Sequence, residues 1–250
     1  MSLCVLSALV GLSIALTGSL SGARAQVDHE EVEIALSLAN MLRSARAVIS
    51  ANQDLINDPE IGDKGLTSAA VLENAYERYE AETGQDPRSI DPETRKGRLL
   101  AAQIAAITEV LDDNQATLNR KGQGFKGFVP AVFARLVNEQ FRANIGAEAE
   151  IKVTAPKQLV RNRTALPDSW ENEVIEQSLI QPDWPTGEVY TAEAVNKGRD
   201  AYRVLIPEYY SAGCLKCHGE PKGEIDLTGY PKEGGALGDL GGVISITLFK

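Results

Sequence analysis

The hydrophobic periodicity of the chain changes near residue 146. Before this point apolar residues recur every three or four positions, which is the period of an amphipathic helix. After it, short segments alternate apolar and polar residues, as half-buried strands do. The pattern predicts helices at 31–57, 68–82, 92–119, 130–143 and 169–180 and strands at 150–154, 188–195, 199–207 and 242–249. Helices followed by a small antiparallel sheet indicate an α+β fold.

Local residue signals mark where several of these elements begin. Asp91 followed by Pro92 has the pattern of an N-cap and a first helical proline, so the third helix is expected to begin there. Asp168 and Glu171 have the spacing of a capping box at the start of the last helix. Asn196-Lys197-Gly198 predicts a three-residue turn between the two strands of a hairpin.

The first 25 residues have the composition of a cleaved signal peptide. Residues 3–20 are almost wholly apolar or small, and Ala23 and Ala25 give the small-residue pattern of a signal-peptidase site. We therefore expect residues 1–25 to be removed and residues 26–250 to form a single domain. No later segment has the roughly 20 apolar residues of a transmembrane helix, so the mature form is not expected to span a membrane. The sequence thus predicts an exported, periplasmic protein.

The chain is acidic, with 35 Asp and Glu against 25 Lys and Arg and a formal net charge of −10. Loss of Arg24 with the signal peptide makes the charge of the mature chain −11. Such a chain is a poor candidate for nucleic-acid binding, which uses basic patches. The sequence also lacks a paired acid/base cluster, a Ser-His-Asp set and a nucleotide-binding loop, so it does not predict an enzyme.

The strongest chemical motif is Cys214-Leu215-Lys216-Cys217-His218. Two thiols three positions apart can form thioether bonds with the two vinyl groups of one haem, and the adjacent histidine can then coordinate the iron. The sequence therefore predicts one covalent haem c, attached through Cys214 and Cys217, with His218 as the proximal iron ligand. Export agrees with this prediction, because c-type haem is attached outside the bacterial cytoplasm.

Three other interpretations of the motif are weaker. A structural disulfide between Cys214 and Cys217 would suit an oxidising compartment but would not need His218. A thioredoxin-like redox pair is expected after an early strand of a βαβ unit, whereas this motif lies near the end of the chain. A structural zinc site needs about four ligands, and His29 is the only histidine outside the motif.

The second axial position of the iron has two candidate ligands, Met41 and His29. Met41 is the only methionine of the mature chain, but a methionine on an amphipathic helix is usually core filler. His29 lies among acidic residues near the new N-terminus and fits a solvated residue equally well. An empty or weakly occupied position would allow a small gas to bind, whereas ligation by methionine would favour electron transfer.

Other residues are candidates for contacts with the haem. Arg161, Arg163 or Lys157 could pair with the haem propionates, which need cationic partners when partly buried. Tyr209 and Tyr210 precede Cys214 by five and four positions and are candidates for packing against the haem. Simple hydrophobic burial would explain both tyrosines as well. In the same way, Arg161-Asn162 and Trp170 could simply fix a turn and fill the core.

Several ordered segments resemble a family of exported c-type-haem proteins with a PAS-like fold. The segments are 124–131, 161–162, 167–171, 202–207, 214–219, 229–230 and 238–245. The resemblance implies a PAS-like antiparallel sheet with a long N-terminal helix and additional helices, and a covalent haem near the C-terminal end. Members occur alone or as sensor parts of membrane proteins, and this chain resembles the stand-alone members. Some members use a cysteine as second axial ligand, and no spare cysteine remains here after processing.

These features lead to two functional hypotheses. The first is a periplasmic haem-based module that senses redox state or a diatomic gas, with a small gas ligand or a redox protein as partner. The alternative is a periplasmic electron-transfer cytochrome c, which would need only the covalent haem and a partly exposed haem edge.

Overall fold

The computed structural model describes residues 18–250, with side chains from His29 onward. The predicted signal peptide at 1–25 lies for the most part outside the described residues and stays a prediction. Among residues 18–250, no helix combines the length and the apolar composition needed to cross a bilayer.

The longer helices occupy the first part of the described chain, and two short ones lie in the second half. The helices are α1 (Gly18–Ala51), α2 (Gln53–Ile56), α3 (Ser68–Thr83), α4 (Arg95–Asp113), α5 (Gln115–Leu118), α6 (Pro130–Ile145), α7 (Ser169–Val174) and α8 (Leu215–His218). A π-helical stretch, Ile175–Leu179, continues α7. The strands are β1 (Ala149–Thr154), β2 (Tyr190–Asn196), β3 (Arg199–Tyr209) and β4 (Leu240–Phe249).

The sheet that these strands form has the order β1-β4-β3-β2, and each neighbouring pair is antiparallel. The prediction of an α+β chain, with helices first and an antiparallel sheet after them, is therefore confirmed. The central strands are β3 and β4, so the long connection between them, residues 210–239, leaves and re-enters the middle of the sheet. The Cys-x-x-Cys-His motif lies in this connection.

The two faces of the sheet are both covered, which follows from the two-residue period of its side chains. Val204 and Ile206 of β3 lie in the main hydrophobic core with α1, α3, α4 and α6. Leu205 points to the opposite face and packs with Val174 and Ile175 in a second, smaller cluster. The long helices thus lie on one face of the sheet, and the short α7 segment lies on the other.

Most predicted helices are confirmed, but the third one begins later than expected. Thr94, not Asp91, is the N-cap, because its hydroxyl accepts a hydrogen bond from the Gly97 backbone N–H at 3.0 Å. The Asp91 carboxylate instead accepts from the Glu93 backbone N–H and closes a tight turn ahead of the helix. Two caps within four residues compete, and the second one starts α4 at Arg95.

Two predicted helices are also interrupted. The helix expected at 31–57 begins at Gly18 and breaks at Asn52, after which α2 adds one further turn. The helix expected to run to Asn119 breaks at Asn114, between α4 and α5. At both breaks an asparagine side chain donates to a backbone carbonyl four residues earlier, and such local bonds compete with regular helix geometry.

The hairpin of β2 and β3 is confirmed, with a shorter turn than predicted. Asn196 pairs directly with Arg199, so the turn contains two residues and not three. Lys197 and Gly198 both have positive φ angles, 53° and 76°. Positive φ at both central positions is what a type I′ hairpin turn requires.

Candidate functional site

The Cys-x-x-Cys-His motif folds as one tight helical turn at the end of β3. The Cys214 carbonyl accepts hydrogen bonds from the backbone N–H of Cys217 at 3.1 Å and of His218 at 2.9 Å. Residues three or four positions apart in a helix lie on the same face, so both thiols and the imidazole are presented together. Cys214 and Cys217 are free thiols, and each is partly exposed. The structure therefore does not contain the alternative disulfide between them.

The His218 side chain is held by a carboxylate from the far end of the loop. Nδ1 of His218 lies 2.9 Å from Glu233 Oε2, and 31% of the His218 side chain is exposed. An ionised carboxylate can only accept, so Nδ1 is the protonated nitrogen in this pair. In a neutral imidazole of this tautomer, the other ring nitrogen, Nε2, carries the lone pair that can bind a metal.

Tyr210 covers one face of this imidazole. The two rings are stacked, with centroids 5.2 Å apart and planes inclined by 18°. Gly235 and Gly241 lie against the tyrosine ring, and a Cβ atom would approach it to 2.5 Å and 2.1 Å respectively. Tyr210 therefore occupies a slot that exists only because both neighbours are glycine.

The Tyr210 hydroxyl is buried and has no hydrogen-bond partner among the described residues. Burial, with a smaller contribution from the nearby Glu233 carboxylate, raises the pKa of Tyr210 to about 12. The hydroxyl therefore remains protonated at neutral pH and is a donor available to a bound group.

Arg161 links the motif to two carboxylates. Its Nε and Nη2 donate to the two Glu233 oxygens at 2.7 Å and 3.0 Å, and Nη1 donates to Asp226 Oδ2 at 2.6 Å. Nη2 also donates to the Cys217 carbonyl at 2.9 Å. Because these donors converge on three parts of the loop, Arg161 ties the motif to its second half.

The two carboxylates around Arg161 are ionised at neutral pH. Burial alone would raise the pKa of Glu233, but hydrogen bonds from Arg161 and His218 outweigh it and lower the pKa. The pKa of Asp226 is strongly lowered in the same way, because donors from Thr228 and Arg161 outweigh its burial. The site thus pairs two negative charges with one guanidinium beside the motif.

The pKa of the Cys217 thiol is shifted in the opposite direction to that of the two carboxylates. Burial, together with the negative charge of Asp226, raises its pKa above the ordinary range. Cys217 is therefore a neutral thiol at physiological pH and not a reactive thiolate.

The structure brings Tyr210 to the motif but gives Tyr209 different surroundings. The Tyr209 hydroxyl accepts a hydrogen bond from the Gly187 backbone N–H at 3.1 Å, in the loop before β2.

Arg161 lies at the motif, but its partners there are carboxylates of the chain itself. Its predicted contact with a haem propionate stays a prediction, and a propionate would compete with Glu233 and Asp226. Trp170 packs in the second core cluster, below Arg203, in agreement with its structural interpretation.

Neither candidate for the second axial position is brought to the motif. Met41 is fully buried in the main core. Gly213, which directly precedes the motif, lies against Ser50 of α1. Met41 comes nine residues before Ser50, about 14 Å along the helix. His29 is exposed and lies about 32 Å before Ser50 along the same helix.

Glu233 and Asp226 are the site residues that sequence reasoning missed. Both lie outside any recognisable motif, in a loop where charged residues are common. Asp226 has one weak local signal, because its carboxylate accepts from the Thr228 and Tyr230 backbone N–H groups in a turn. Glu233 has none, because its partners are 15 and 72 positions away.

The donor set fits a covalently attached haem. Two free thiols lie one helical turn apart, and the adjacent imidazole has its Nδ1 occupied and its Nε2 free for iron. The buried Tyr210 hydroxyl, without a partner among the described residues, could serve a bound group. By contrast, no group of three or more His, Cys, Asp and Glu side chains within the described range could hold a metal ion by itself.

Comparison with known proteins identifies the family. Residues 24–248 match the Tll0287-like family (Tll0287), and the chain therefore belongs to it. No curated protein and no solved structure matches the chain.

Proposed function

We propose that the protein carries one haem c, bound through Cys214 and Cys217 with His218 as axial ligand, and acts as a periplasmic sensor of redox state or of a diatomic gas. The observation that carries the proposal is the hydrogen bond between His218 Nδ1 and Glu233. Histidines that bind a metal typically donate their other ring N–H to a carboxylate or carbonyl, which fixes the tautomer and the ring orientation.

Each residue of the site has a distinct task in this proposal. The haem, when bound, supplies an iron that changes oxidation state or accepts a diatomic ligand. Cys214 and Cys217 hold the haem by thioether bonds, while Glu233 keeps the protonated Nδ1 of His218 turned away from the iron. Tyr210 shields one face of the imidazole and supplies a buried hydroxyl. None of these residues is assigned a catalytic step, so we propose a binding protein and not an enzyme.

The positions of Met41 and His29 favour sensing over simple electron transfer. Met41 is enclosed in the helical core, and His29 is far along α1 from the contacts near the motif. Ligation by either side chain would require a rearrangement of α1. A second axial position without a strong protein ligand allows a small external ligand to bind.

Direct attachment of the motif to the central strands gives a route for a signal. Tyr210 follows β3 immediately, its backbone N–H donates to Asp239 just before β4, and its ring packs on His218. A change in the position of His218 would therefore shift Tyr210 and, through it, the adjoining ends of β3 and β4.

One observation favours the alternative, an electron-transfer cytochrome c. Ile225, Leu227 and Leu237 are exposed large apolar side chains in the same loop as the motif. Exposed apolar side chains in the loop that carries a redox centre suit transient docking of a redox partner. The partner would then be a redox protein and not a gas.

The decisive experiment begins with export and haem attachment. We expect the chain, produced with a bacterial haem-attachment system, to be recovered from the periplasm and to retain haem on a denaturing gel. Cys214→Ala and Cys217→Ala should weaken this covalent attachment, and the double variant should abolish it. His218→Ala should alter the spectrum, whereas the matched change His29→Ala should not. Loss of haem from the unaltered protein on denaturation would refute haem c binding.

The second part of the experiment separates sensing from electron transfer. Spectra of the reduced protein are recorded with and without CO or NO. Rapid binding with an unchanged fold would support gas sensing. A six-coordinate spectrum that does not respond to either gas would contradict gas sensing and leave redox sensing or electron transfer. Met41→Leu should leave the spectrum unchanged, because Met41 lies in the core.

A further inference from the structure

The Glu233 carboxylate accepts hydrogen bonds from both His218 and Arg161. Oε2 accepts both from His218 Nδ1 at 2.9 Å and from Arg161 Nη2 at 3.0 Å, while Oε1 accepts from Arg161 Nε at 2.7 Å. The side chain is mostly buried, with 17% exposed. The carboxylate thus joins the proposed iron ligand to a guanidinium.

The orientation of Glu233 is determined by Arg161, which is itself anchored at two other points. Arg161 Nη1 donates to Asp226, whose side chain is fully buried, and Nη2 donates to the Cys217 carbonyl. Because Cys217 directly precedes His218, the same guanidinium positions both the carboxylate and the backbone of the motif. Arg161 therefore constrains the distance between Glu233 and His218 by holding both the Glu233 carboxylate and the backbone next to His218.

A carboxylate acceptor changes an imidazole more than a neutral carbonyl does. Its charge-assisted hydrogen bond draws the Nδ1 proton outward and makes the Nε2 lone pair a stronger donor. A stronger donor stabilises ferric iron more than ferrous iron. Arg161 opposes this effect, because its positive charge withdraws electron density from the Glu233 oxygens.

We propose that Glu233 is a positioning residue that strengthens His218 as an iron ligand and lowers the reduction potential, and that Arg161 moderates its effect. The inference rests on the proposed haem binding. It predicts opposite effects for the two partners of one hydrogen-bond network: weakening Glu233 raises the potential, and weakening the hold of Arg161 on Glu233 lowers it.

The test compares Glu233→Gln with Glu224→Gln in the haem-loaded protein. Glutamine keeps the size of the side chain but removes the charge, and Glu224 is an exposed acid of the same loop. We expect Glu233→Gln to shift the equilibrium constant for one-electron reduction at least tenfold toward the ferrous form, which is about 59 mV. The iron–histidine stretching frequency of the ferrous protein should fall. Glu224→Gln should change neither quantity.

A second variant keeps the inference open to refutation if Glu233→Gln does not fold. Arg161→Lys retains the charge but cannot donate to both Glu233 oxygens and Asp226 from one planar group. It should shift the same equilibrium constant toward the ferric form. An unchanged potential in a folded Glu233→Gln protein would overturn the role of Glu233, and a potential raised by Arg161→Lys would overturn the moderating role of Arg161.

The haem-free protein gives an independent measurement. Histidine ring ¹⁵N shifts should show His218 in the Nδ1–H form, and Glu233→Gln should give a mixture of both tautomers. Unaltered protein without covalent haem would refute the proposed function and the tuning of the potential with it. Covalent haem with an unchanged potential in Glu233→Gln would refute only the role of Glu233.

Discussion

Replacing Arg161 by glutamine should destabilise the fold itself, because it leaves a buried negative charge without its cation. The Asp226 side chain is fully buried, and 19% of the Arg161 side chain is exposed. Without the guanidinium, Asp226 keeps three donors, the Thr228 hydroxyl and the backbone N–H groups of Thr228 and Tyr230. Glu233 would retain His218 as partner.

The magnitude follows from what remains after the change. Removing one partner of a buried ion pair costs about 3–5 kcal/mol when the other charge is left uncompensated. The three donors that still reach Asp226 reduce this cost, and so does the partial exposure of Arg161. We expect Arg161→Gln to lower the free energy of unfolding by about 2–3 kcal/mol, close to the cost of one lost charged hydrogen bond.

The assay is urea unfolding at neutral pH, with Arg163→Gln as the matched control. Arg163 is two positions away and exposed, so its replacement should change the free energy of unfolding by less than about 0.5 kcal/mol. Equal unfolding midpoints for the two variants would refute the assignment of Arg161 as the counter-charge of Asp226.

The pH dependence supplies a second criterion. The pKa of Asp226 is lowered in the folded state, so its contribution to stability is complete above its unfolded pKa of about 4 and is lost as the pH falls toward the folded value. Glu233 has a lowered pKa as well and acts in the same direction. The stability difference between the unaltered protein and Arg161→Gln should therefore narrow below about pH 4. A difference that stays constant from pH 7 to pH 3 would contradict the ionic explanation.

Three further substitutions test other parts of the structure. Gly241→Ala would place a Cβ atom 2.1 Å from the Tyr210 ring and should lower the free energy of unfolding by about 1–3 kcal/mol. The tyrosine signal in near-ultraviolet circular dichroism should change, and an unchanged signal would contradict the close packing of Tyr210 against Gly241. Arg203→Met removes the buried guanidinium shared by Asp168 and Glu171 and should lower the free energy of unfolding in urea by about 3 kcal/mol. An unchanged midpoint would show that Lys152, the other partner of Glu171, is a sufficient counter-charge. Phe133→Ala should lower the free energy of unfolding by about 3–5 kcal/mol, because this ring is fully buried. Phe125 is exposed, so Phe125→Ala should have little effect, and similar losses of stability for both variants would contradict the described core.

Elements defined by neighbouring residues could be predicted well from the sequence. The capping box is an example, because Asp168 and Glu171 are three positions apart and each bonds the backbone of the other. The hairpin was also predictable, since Gly198 allows the positive φ that its turn requires. Where two local signals competed, as Asp91 and Thr94 did for the start of α4, the sequence offered no means of choosing between them.

The candidate site was predictable to the extent that it is contiguous. Cys214, Cys217 and His218 lie within one helical turn, so the chemistry of the motif can be derived from spacing alone. Glu233 could not be predicted, because its contact with His218 depends on the path of the loop that returns to β4. Met41 shows the same limit, since periodicity places it on a helix but does not tell which part of that helix meets the motif.

The sequence by itself thus determined the order of helices and strands, and it predicts the cofactor chemistry proposed for the motif. These properties arise from backbone preferences and side-chain spacings that act over a few residues. Only the tertiary structure decided which charges surround His218 and that Met41 is enclosed in the main core. Such contacts join residues tens of positions apart, as Arg161 and Glu233 are. They form when the packing of helices on the sheet and the pairing of buried charges are satisfied together.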